Sequence, residues 1–118
     1  MKLTMVLFIL ALGALVFCTP QPTISLSMAV IKVTAYCHPG RTASGIRVQD
    51  GILALSRDLE YNLDMQFGDQ VKLEGLGIFS FQDRMASYKR RQADIWMPRY
   101  SEAMRFGIKH NIMLVKVV

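Results

Sequence analysis

Apolar and polar positions alternate along this chain in short stretches, and each stretch predicts a strand. Residues 29–36 (AVIKVTAY) interleave Val and Ile with Lys and Thr, and residues 70–74 (QVKLE) repeat the pattern. Residues 51–55 (GILAL) form a continuous apolar run short enough for a buried strand, and residues 78–82 (IFSFQ) follow a turn or bulge bracketed by Gly75 and Gly77. Residues 93–97 (ADIWM) end at Pro98, which cannot donate to a ladder, and residues 111–118 (NIMLVKVV) close the chain as a sixth strand. Residues 102–106 (EAMRF) are the one helical stretch, with Ser101 as its N-cap and Gly107 as its stop. Six short strands, one short helix and a glycine- and proline-bearing loop (CHPGRTASG) predict a mainly β fold. Such strands close into a barrel more readily than they stack as a sandwich.

The N-terminus changes the picture of where this barrel works. Met1 and Lys2 precede an apolar run over residues 5–17 (MVLFILALGALVF), which has the charged start and short apolar core of a secretory signal. It is short for a membrane span, which needs about 20 residues. Residues 1–28 are therefore expected to be a signal peptide or membrane anchor helix with a short linker, and residues 29–118 the folded domain. The protein is expected to be exported, to the periplasm or cell envelope. Cleavage after Cys18 or Ala29 would leave Cys37 alone, so no internal disulfide is expected and stability must come from the core. At 118 residues and 52% apolar, the chain has the material for one such core.

Formal charge is +5, and much of it lies late, where Asp83, Asp94 and Glu102 face eight Lys and Arg residues. A basic face seeks an anionic partner, and for an exported protein cell-wall polymers or lipid head groups come before nucleic acid, which is not expected. The sequence has no phosphate-binding loop, dinucleotide fingerprint or zinc-ligand spacing, so no cofactor and no metal are expected. Cys37 and His38 adjoin, and neighbouring side chains on an extended segment diverge.

The order VTAY (33–36), TASG (42–45), GILAL, a late QD, DIWM and EAMRFG resembles the three-aspartate (3D) domain, the double-psi β-barrel of membrane-bound lytic transglycosylase A and related cell-wall enzymes. The resemblance spans residues 29–118. In that family two aspartates bracket a loop of form D-x-G-G-A-I-K-G-x-x-x-D, and here Asp83, Lys89 and Asp94 fall in the same register. Two features depart from the pattern. Met85, Ala86 and Arg90 stand where the loop has glycines, and Ser56 stands at the family's first aspartate, with Asp58 two residues on as a substitute.

The resemblance implies a lytic transglycosylase, which cleaves the β-1,4 bond between N-acetylmuramic acid and N-acetylglucosamine and leaves a 1,6-anhydro end. It assigns Asp94 as acid/base, Asp83 as its partner, and Lys89, Thr42, Ser44, Gly45, Tyr36 and Ser56 to substrate binding. Tyr36 and Trp96 offer flat faces to a sugar, and both also suit core positions. As an acid, Asp94 needs a raised pKa, to which desolvation beside Ile95 and Trp96 or repulsion from Asp83 would contribute, and against which Arg90 and Arg91 would work. Peptidoglycan is the expected partner, with membrane association through the N-terminal segment. A non-catalytic glycan-binding barrel and a phage-type lysis protein of the same fold remain the alternatives.

Overall fold

The structure, a computed structural model, describes residues 27–118. The expected signal or anchor segment lies outside these residues, apart from its last two positions. Among the described residues no helix is long and apolar enough to cross a membrane.

All six expected strands form: β1 (Met28–Tyr36), β2 (Ile52–Leu55), β3 (Gln70–Leu73), β4 (Gly77–Arg84), β5 (Gln92–Trp96) and β6 (Lys109–Lys116). They close into a barrel in the order β1-β5-β2-β4-β3-β6, with β6 paired back to β1. Closure leaves no free sheet edge. β1 runs parallel to β5 and β2 parallel to β4, while the other pairs are antiparallel.

Strand alternation builds the core. Val33, Leu53, Leu55, Val71, Leu73, Phe81, Ala93 and Leu114 all point inward and are buried. Phe81 stacks on Phe67 with ring centroids 4.9 Å apart. Each large side chain buried this way contributes about 1.5–3 kcal/mol.

The helical expectation is half right. The later helix, α2 (Tyr100–Phe106), starts one residue before Ser101, from Arg99, and no side chain caps it; it ends at Gly107 as expected. An earlier helix, α1 (Arg57–Asn62), was not expected. Leu59 alone of its residues is buried, so it carries no apolar periodicity to read. Tertiary contacts hold it instead: the Arg84 guanidinium donates to both Glu60 carboxylate oxygens at 2.7–3.0 Å and lies 4.5 Å over the Phe67 ring.

Candidate functional site

Pairing register sets Thr34 of β1, Asp94 of β5, Ala54 of β2 and Asp83 of β4 in one row across four adjacent strands. Their sequence neighbours Val33, Ala93, Leu53 and Leu55 face the core, so parity alone turns Thr34, Asp94 and Ala54 outward. Asp83 needs more than parity. It lies two residues after inward-facing Phe81, and an unbroken strand would aim both the same way. Between the Leu53–Phe81 and Ala54–Asp83 pairs the register slips by one, leaving Gln82 as a bulge. That extra residue flips Asp83 to the outer face beside Asp94. Ala54, between the two acids, is the small residue that leaves a floor rather than a wall.

The result is an open cleft of about 240 Å³, lined by Tyr36 and His38 from the end of β1, Ala54, Asp83 and Arg84, Asp94, and Met85, Ala86 and Lys89 of the loop after β4. Four of the eight expected site residues, Asp94, Asp83, Lys89 and Tyr36, meet here. The two acids differ in environment. Asp94 is half-buried, and burial holds its carboxyl above the usual carboxylate range. The Thr34 hydroxyl and Lys89 pull it back, Asp83 pushes it up, and His38 pulls it down. The Thr34 hydroxyl donates to Asp94 Oδ1 at 2.9 Å, and buried Gln92 donates its Nε2–H to the same Thr34 oxygen at 2.9 Å. That second bond points the Thr34 proton at Asp94.

Asp83 accepts hydrogen bonds from three protein donors. Its Oδ1 accepts the backbone N–H of Ala43 at 3.0 Å and of Arg84 at 2.9 Å, and its Oδ2 accepts the Tyr36 hydroxyl at 3.1 Å. Burial, with the Asp83 charge and hydrogen bond added, pushes the Tyr36 hydroxyl far above the ordinary phenol range, so Tyr36 stays a donor. Asp83 thereby ties β1, β4 and the TASG loop together.

Four expected substrate-binding residues sit elsewhere. Ser56 is fully buried at the junction of β2 and α1, where its Oγ accepts the Gln92 N–H at 3.1 Å and its own N–H donates to the Gln92 carbonyl at 2.9 Å. It staples β2 to β5 and cannot reach a ligand. Asp58 does not line the cleft, and its carboxylate accepts the Arg91 backbone N–H at 3.0 Å. Thr42, Ser44 and Gly45 do not line the cleft. Thr42 is buried and its hydroxyl pairs with that of Ser44 at 2.9 Å, while Gly45, at φ +94°, lets the loop turn so that Ala43 meets Asp83.

Arg90 and Arg91 do not act on Asp94 as expected. The Arg90 guanidinium donates to the carbonyls of Ser87 and Lys89 at 2.7 and 2.9 Å, and that of Arg91 to the Val30 carbonyl at 2.9 Å. Trp96 is half-buried and lines two other cavities, its indole N–H donating to the His38 carbonyl at 2.9 Å. His38, Thr34 and Gln92 are site residues that sequence reasoning passed over. Thr34 was legible, since it shares the parity of Tyr36 in VTAY.

No protein-family profile matches the chain, and no curated protein matches it. Among solved structures the Streptomyces papain inhibitor has a similar fold, with a TM-score of 0.60 at 16% identity, over 82% of this chain and 100% of that one. At that identity the likeness speaks of fold alone, and it supports the double-psi-like barrel.

Proposed function

We propose that this barrel is an exported peptidoglycan lytic transglycosylase in which Asp94 is the single acid/base. One observation carries the reading: the cleft holds one carboxyl above its usual range and open to a ligand, beside a second carboxylate already occupied by three donors. Ordinary glycosidases need an acid together with a nucleophile or a water-activating base. Asp83, held by Ala43, Arg84 and Tyr36, is poorly placed for either task. A reaction whose nucleophile belongs to the substrate needs only one carboxyl.

In that reaction Asp94 gives its proton to the glycosidic oxygen as the bond to the muramic anomeric carbon breaks. The muramic 6-hydroxyl attacks that carbon and returns its proton to the Asp94 carboxylate, closing the anhydro ring and restoring the acid. Lys89 sits where it can take hydroxyl or carbonyl oxygens of the sugar, and Tyr36 and Asp83 fix the cleft wall. Asp83 supplies the like charge that favours a protonated Asp94.

Purified peptidoglycan digested with the protein should yield anhydro-muropeptides by mass. Asp94→Asn keeps the shape and the acceptor for Thr34 but has no proton to deliver, and should lower the rate by more than about 10²-fold. A variant that releases anhydro products at the parental rate removes Asp94 from the role. Wild-type protein that binds peptidoglycan and releases nothing makes this a glycan-binding barrel instead.

A further inference from the structure

A second cavity, larger than the cleft, adjoins it. It measures about 480 Å³, and its lining includes Arg41, Arg47, Trp96, Pro39, Pro98 and Cys37. Arg41 and Arg47 face each other across an antiparallel bridge, closed further by the Val48 N–H on the Gly40 carbonyl at 3.0 Å. No carboxylate of the described residues lies within ion-pair distance of either guanidinium, although Arg41 donates to the Gly45 carbonyl at 2.9 Å. Two guanidinium-bearing side chains without a carboxylate partner, lining one cavity with an indole and two prolines, suit a ligand that is anionic at one end and apolar along its length.

The cavity and the cleft share a wall one chain thick. Along the segment leaving β1, Tyr36 and His38 line the cleft while Cys37 and Pro39 line the cavity. A ligand crossing over His38 would occupy both.

We propose that this cavity is a second subsite, binding the carboxylate-bearing peptide carried by the muramic sugar whose ring occupies the Asp94 cleft. The proposal rests on the glycan reading above. Arg41 and Arg47 pair with a peptide carboxylate, and Trp96, with the prolines, packs against the peptide's apolar atoms. Substrate selection then favours glycan that still carries its peptides.

The chain has one tryptophan, and Trp96 lines this cavity, so a change in its emission is one readout of occupancy. The full chain carrying Asp94→Asn, which should not turn substrate over, is titrated with a peptide-bearing muropeptide, the same glycan stripped of peptide, and the free peptide. The expected result is a Trp96 response to the muropeptide and the free peptide, and none to the stripped glycan. Adding Arg47→Gln should weaken muropeptide binding about tenfold and leave stripped-glycan binding, read by calorimetry, unchanged. If stripped glycan binds as tightly as muropeptide, or Arg47→Gln weakens both equally, the subsite is overturned while the glycan reading stands. If free peptide binds with a Trp96 response but neither glycan binds beyond it, the cavity is supported and the glycan reading fails. If nothing binds, both fall.

Discussion

Burial of Asp94 carries a stability cost that can be measured without any substrate. Burial holds its carboxyl above the usual range, so the folded chain keeps the Asp94 proton to higher pH than the unfolded chain does. The folded state has the full benefit below the unfolded carboxylate pKa of about 3.9, and loses it as pH rises through the higher folded value. Asp94→Asn removes the charge that burial penalises. It should therefore be more stable than the parent in urea at about pH 7, with the difference vanishing as pH falls below about 4. Equal stabilities across that range would mean that Asp94 is not desolvated. Lys89 offers a second handle, because its charge lowers the Asp94 pKa. Lys89→Met should raise it, and the pH above which the cleavage rate falls should move upward. An unmoved pH–rate profile would uncouple Lys89 from the acid. Substituting Ser56 by an acid is no test of the missing family aspartate, since that position is sealed in the core.

At the scale of elements, the TASG loop and the β4 bulge build the site between them. Gly45→Ala meets no atom within 4 Å, so its cost is backbone strain at φ +94° and not a clash. A loss of about 1–2 kcal/mol is expected, seen as a lower urea midpoint at unchanged slope. The same loop delivers the Ala43 N–H to Asp83, so cleavage should fall with it. A variant as stable as the parent would contradict the strained turn. These elements also mark what could be read in advance. The six strands were legible because each alternates or runs apolar at strand length. The Asp83, Lys89 and Asp94 spacing was legible because it matches the register of the resembled family's loop, here the segment that passes from β4 over β2 to β5. The bulge at Gln82 was not, since it exists only as a register slip against β2, a strand far away in sequence. Helix α1 was hidden for a similar reason, held by Glu60–Arg84 contacts that no local pattern announces. Ser56 was misplaced because position in a motif says nothing of burial.

At the scale of the molecule, one row of residues on the outer face of the closed barrel holds Asp94, the Thr34 hydroxyl bonded to it, and Asp83. The central claim is that Asp94 works alone, with the substrate supplying its own nucleophile. Digesting peptidoglycan in heavy-oxygen water tests this most directly, because hydrolysis puts a solvent oxygen on the new sugar end and transglycosylation does not. The account predicts anhydro ends carrying no heavy oxygen, made by the parent and lost in Asp94→Asn. Heavy oxygen in the newly formed ends would show that water is the nucleophile, and would contradict the single-carboxyl mechanism.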